Sequence, residues 1–170
     1  KVTEDEYLNM IRLKTAVLPA LCLKIGAIVA NASEKDADLL YEFGENIGMA
    51  FQIKDDWLDC FGEEAVFGKL SGGDIISGKK TWLYVKAFEM ASEKQFRALK
   101  DAFTNRVANK DEKINTVRNI YFDLKLNELA PLKMEEYYEK GFAKLKEVNI
   151  PENKKADLVM LAKNLFDRKI

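Results

Sequence analysis

Helix-start signals recur along this chain, and between them no stretch alternates in the manner of a strand. Thr3-Glu4-Asp5-Glu6 reads as a capping box, in which Thr3 and Glu6 each satisfy a backbone N–H that a helix start leaves open. The spacing predicts a helix from about residue 4 to about residue 31, with apolar positions at Leu8, Ile11, Leu18, Leu21, Ile25 and Ile28. Pro19 lies inside it and predicts a kink or break just before itself. Ser33, followed by Asp36, opens a second helix reaching about Cys60. Further helices are predicted from about Lys80 to Met90, from Ser92 to about Ala108 and from Asp111 to about Leu126. Two more follow, one from Pro131 (placed in its first turn) to about Val148 and one after Pro151. Only three prolines and nine glycines interrupt the 170 residues. The expected fold is therefore all-α, an antiparallel helical bundle forming a single domain over residues 1–170.

Composition narrows the chemistry. The formal charge is −1, without the basic excess of a nucleic-acid surface. Histidine is absent, which excludes Ser-His-Asp and Cys-His catalysis and imidazole-bound metals, so a metal site would be built from oxygen ligands. Cys22 and Cys60 lack metal-type spacing, and Cys22, in an apolar run, is expected to be buried. The longest apolar stretch, 16–32, contains Pro19, Lys24 and Asn31 and is too interrupted to span a bilayer. A soluble, cytoplasmic protein is the expectation. The abrupt start, with Thr3 opening a helix at once, suggests a fragment or processed product.

Three places could carry chemistry. The first is Phe51-Gln52-Ile53-Lys54-Asp55-Asp56-Trp57-Leu58-Asp59. Asp55 and Asp59, four apart, share a helix face, and Gln52 joins it from three residues upstream. On spacing alone a solvated acidic face is the simpler reading. The apolar flanks place these acids beside a core, where carboxylates need a partner such as a hard cation. The second is the glycine-rich run from Gly68 to Thr81 with Lys69, Lys79 and Lys80, where backbone and ammonium groups can meet an anion. A mobile surface loop is the alternative. Gly73 to Lys79 approaches a nucleotide P-loop, but Lys80 stands where Ser or Thr belongs. The third is Lys14-Thr15 within the first helix, which in isolation reads as a snorkelling lysine beside a tolerated threonine.

Taken in order, Lys-Thr, then F-Q-I-x-D-D-x-L-D, then G-K-x-x-G-x-D-I-x-x-G-K-x-T resembles the trans-polyprenyl diphosphate synthase family. That family joins an allylic diphosphate to isopentenyl diphosphate, using magnesium held between two aspartate-rich motifs. The resemblance implies that Asp55 is a Mg²⁺ ligand of the second motif, with Asp56 and Asp59 as supporting carboxylates. It implies that Lys69 and Lys79 hold the leaving diphosphate, and that Lys14, Thr15 and Gln52 line the path of the carbocation. The first aspartate-rich motif and the G-x-K-x-R segment of the family are absent from these 170 residues. The expectation is thus the C-terminal half of an isoprenoid synthase, inactive alone and homodimeric at full length. A non-catalytic partner subunit and a terpene cyclase-like protein are the alternatives.

Overall fold

A computed structural model describes residues 2–62, 72–104 and 109–167. Among these the secondary structure is helical, with no strand. The elements are α1 (Glu4–Ile11), a π-helical turn (Arg12–Ala16), α2 (Val17–Val29), α3 (Glu34–Phe61) and α4 (Gly73–Ser77). They continue as α5 (Trp82–Met90), α6 (Glu93–Thr104), α7 (Lys110–Asp123), α8 (Leu126–Glu147) and α9 (Glu152–Asp167).

The start signals are satisfied as their chemistry requires. Thr3 N–H donates to Glu6 Oε2 at 2.9 Å, and Glu6 N–H donates to Thr3 Oγ1 at 3.2 Å. Ser33 Oγ accepts from Asp36 N–H at 3.1 Å, and Thr81 Oγ1 accepts from Tyr84 N–H at 3.2 Å. α7 begins one residue earlier than expected because Asn109, not Asp111, is its cap, accepting the N–H groups of Asp111 and Glu112. The predicted end of α6 at Ala108 lies outside the described residues.

The three prolines act in different ways. Pro151 precedes α9 as expected. Pro19 does not break its helix. The irregularity comes earlier, at Arg12–Ala16, where Val17 N–H reaches back five residues to Arg12 O. A proline at 19 cannot donate to the carbonyl of Thr15, and Thr15 lies in the looser turn just ahead of it. Pro131 was expected in a first turn but sits inside α8, which starts at Leu126. Its missing N–H leaves the Asn127 carbonyl without its helical donor, and Trp57 Nε1–H takes that carbonyl at 3.1 Å.

The chain separates into two compact units. Of the described residues, one holds 2–7, 55–62, 72–104 and 109–131, and the other holds 8–54 and 132–167. In the first, Leu58, Leu83, Val85, Leu99, Val117 and Tyr121 are buried, beside an aromatic group in which Tyr84 and Phe88 lie 4.6 Å apart. In the second, Leu39, Phe43, Ile47, Leu145, Val148 and Ala162 form the core. Here α2 crosses α3 closely. A Cβ on Gly44 would lie 2.8 Å from Ala20 Cα, and one on Gly48 would lie 2.7 Å from Ala16 Cα.

That close crossing turns α2 over. Ala16, Ala20 and Ala27 face inward, while Leu18, Leu21, Ile25 and Ile28, the expected core stripe, are 43–68% exposed. Glycines on α3 admit only small partners, so the large residues point away. Cys22, expected to be buried, is exposed for the same reason.

Candidate active site

Asp55, Asp56 and Asp59 take three different environments on the last turns of α3. Asp55 is exposed. Asp56 is 1% exposed and engaged on both oxygens. Its Oδ2 accepts from the Tyr7 hydroxyl and from Trp82 N–H at 3.3 Å, and its Oδ1 accepts from Lys79 Nζ at 3.2 Å. A buried carboxylate requires such partners, and one of them is a full charge. Asp59 is half-buried and accepts Asp74 N–H at 2.8 Å through Oδ2, while its own carbonyl accepts Gly72 N–H at 2.6 Å. Asp59 therefore pins the start of α4. Burial, opposed by that hydrogen bond and reinforced by the nearby Asp74 charge, raises the Asp59 carboxyl above its ordinary value.

α4 is a single short turn where the glycine-rich sequence predicts loop. Gly72 and Gly78 bracket it with φ of 100° and 70°, in the left-handed region that favours glycine. Gly73 is also constrained, since a Cβ there would come 3.2 Å from Asp59 Oδ1.

Lys79 follows directly. Its ammonium donates to Asp74 Oδ2 at 2.8 Å as well as to Asp56. Burial alone would lower its pKa, but the hydrogen bond to Asp74 and the charges of Asp56 and Asp74 outweigh it and hold it above the usual lysine value. Its side chain is 41% exposed, so a charged donor with two hydrogen bonds committed still faces solvent. Lys69 lies outside the described residues.

In the second unit, Thr15 is half-buried in the π-helical turn, and its hydroxyl donates to Gln52 Oε1 at 2.9 Å. Lys14, beside it, is exposed. Thr15 borders an apolar cleft of about 570 Å³ walled by α2, α3 and α9 through residues such as Leu18, Phe43, Ile47, Phe51 and Leu161.

The structure thus brings Thr15 to Gln52, and Lys79 to Asp56. It also adds Tyr7, Asp74 and Trp82, which the sequence reading left unassigned. Asp74 stands within the glycine-rich motif and could have been singled out there. Tyr7 carries no local sign, since its partner is 49 residues away. Among the described residues no group of three carboxylates or thiols is placed to hold one metal ion. Nor is any helix among them long and apolar enough to cross a membrane.

A family model described as polyprenyl synthetase matches residues 1–121. The geranylgeranyl diphosphate synthase of Sulfolobus acidocaldarius is 36% identical over 151 residues, covering 87% of this chain and 44% of that protein. A short chain isoprenyl diphosphate synthase of Methanothermobacter thermautotrophicus is 50% identical over 93 residues, 55% of this chain and 29% of that protein. A crystal structure of the geranylgeranyl pyrophosphate synthase from Corynebacterium glutamicum, complexed with isoprenyl diphosphate and magnesium, matches with a TM-score of 0.86 at 30% identity. That match covers 99% of this chain and 48% of the other. The chain spans about half the length of the curated relatives it matches or less. These relatives are named as synthases, which does not favour a partner subunit or a cyclase.

Proposed function

Because the chain belongs to the polyprenyl synthetase family, we propose that it carries the diphosphate-releasing half of a trans-prenyltransferase site. The reaction joins an allylic diphosphate to isopentenyl diphosphate. The observation that carries this reading is Lys79, a charged ammonium fixed by Asp56 and Asp74 yet open to solvent, beside an aspartate helix whose Asp55 is exposed.

In this reading the allylic C–O bond breaks with both electrons leaving on the diphosphate. The double bond of isopentenyl diphosphate attacks the allylic cation, and a proton is then lost to the released diphosphate. Lys79 binds diphosphate oxygens where negative charge develops, and Lys69 has the same assignment. Asp55 and Asp59, hard oxygen donors on one helix face, would hold Mg²⁺, with remaining ligands from the diphosphate and from residues outside this chain. When bound, magnesium neutralises charge on the leaving group. Asp56 serves by holding Lys79. Thr15 and Gln52, hydrogen-bonded to each other, present oxygen dipoles to the cation and are too weakly nucleophilic to trap it. Lys14, exposed beside Thr15, lines the path of the same cation. The full-length enzyme is a cytoplasmic homodimer, and this chain alone does not turn over.

The test is a chimaera in which this chain replaces the matching 151-residue segment of the Sulfolobus acidocaldarius relative. Magnesium-dependent condensation by the chimaera, lost in Asp55→Ala, is expected. A folded chimaera without activity beside an active parent would refute the proposal, and turnover by the isolated chain would refute its half-site form.

A further inference from the structure

Tyr7 has no role in the reaction just described, yet it is 2% exposed and among the largest buried side chains. A buried phenol needs a hydrogen-bond partner, which any nearby carbonyl could supply. Tyr7 instead donates to Asp56 Oδ2, which also accepts Trp82 N–H at 3.3 Å. Two donors on one oxygen stop the carboxylate turning about its terminal torsion, which is otherwise broad. The other oxygen, Oδ1, is thereby aimed at Lys79 Nζ, 3.2 Å away. An ammonium carries three N–H donors. Asp56 and Asp74 take two, and the 41% exposure of the Lys79 side chain leaves the third for an anion.

The start of α1 is anchored to the same place by other bonds. Glu4 accepts from Trp82 Nε1–H at 2.9 Å and from Lys86 Nζ at 3.0 Å, which fixes the turn that carries Tyr7. Burial and then the Asp56 charge raise the Tyr7 pKa far above that of an ordinary phenol, so the hydroxyl remains a donor.

The geometry points to Tyr7 as a positioning residue of the diphosphate half-site, setting through Asp56 where the Lys79 ammonium stands. The inference rests on the reading of that half-site given above. Tyr7 itself touches no substrate.

The test measures the affinity of the 170-residue chain for inorganic pyrophosphate in magnesium by calorimetry. Four forms are compared: wild type, Tyr7→Phe, Lys79→Ala and the double variant. Tyr7→Phe is expected to weaken binding about fivefold, the effect of losing one hydrogen bond's worth of order. In the Lys79→Ala background the same change is expected to add nothing, because its route to the anion is gone. A purely structural tyrosine would give equal affinity in Tyr7→Phe, or equal further losses in both backgrounds, and either result overturns the inference while leaving the half-site reading intact. If Tyr7→Phe does not fold, Tyr7→Met takes its place with the same two expectations, since it too removes the hydroxyl and fills the space flexibly. A wild-type chain that takes up no pyrophosphate at millimolar concentration removes the half-site reading, and the inference with it.

Discussion

Gly48→Ala adds one methyl group at the close crossing of α3 with the start of α2. That carbon would lie 2.7 Å from Ala16 Cα and 2.9 Å from Ala16 Cβ. Carbon atoms rest at roughly 3.5–4.0 Å, so the substitution demands about 1 Å of separation. The obstacle is backbone, and a rotamer change cannot relieve it. Overpacking of this kind costs about 3 kcal/mol at its upper end. Alanine returns roughly 1 kcal/mol of helix propensity. The net loss is about 2 kcal/mol, which for a chain of this length lowers Tm by roughly 4–8 °C. Gly26→Ala is the matched control. It is also interior to a helix, and a Cβ there meets nothing within 4 Å. It gains the propensity without the clash and is expected to raise Tm by about 2–4 °C. Thermal melts of the two variants beside wild type decide the matter. A Gly48→Ala chain as stable as wild type, next to a stabilised Gly26→Ala, would refute the close-packing argument.

Three more expectations follow from single contacts. Trp57→Phe removes the donor on the Asn127 carbonyl and is expected to cost about 1–3 kcal/mol in urea unfolding; Pro131→Ala supplies an N–H for the same carbonyl and should recover part of that loss, so purely additive effects would count against the pairing. Asp36 is held below the usual carboxylate range by the Asn149 N–H and then the Ser33 hydroxyl, so its contribution is present above the unfolded-state pKa and lost as pH falls through the folded one. Asp36→Asn should therefore melt below wild type at pH 7 and match it in acid, and an offset constant with pH would contradict this. Of the two free thiols, exposed Cys22 is expected to react with an aromatic disulfide reagent at once, and Cys60, buried and pushed up to about 12, only on unfolding; two fast thiols in the native chain would show the burial to be wrong.

Local chemistry was the legible part. Thr3, Ser33 and Ser92 signal caps through side chains that reach only three residues, and each acts as a cap, whereas Thr81, the cap of α5, was not singled out. Residues whose roles depend on a distant partner were not legible. Pro131 looked like a helix start because nothing near it in sequence reveals that Trp57 will take the carbonyl it frees. The Leu18–Ile28 stripe has the periodicity of a buried face, and periodicity does not say which face a glycine pair on another helix will accept. The acids of α3 were identified as a group, but their division into exposed Asp55, buried Asp56 and capping Asp59 depends on Tyr7, Lys79 and Asp74. Lys14-Thr15 and Gln52 stand out as local features, but only the family resemblance gives them a role; the Thr15–Gln52 hydrogen bond spans 37 positions.

The π-helical turn at Arg12–Ala16 has a consequence for how such a gene can vary. It holds one residue more than an α-helical path would need. Deleting any one codon there would leave an uninterrupted α-helix that a secondary-structure comparison would score as unharmed. The helix beyond would keep its facing, because the roughly 100° that one residue adds to an α-helical path is what the wider turn absorbs. Ala20 would still meet Gly44, so the crossing of α2 with α3 would survive the loss. A lineage that loses Leu13 should therefore keep this packing, whereas one that replaces Ala16 with a larger residue would need more space at Gly48 before it could persist.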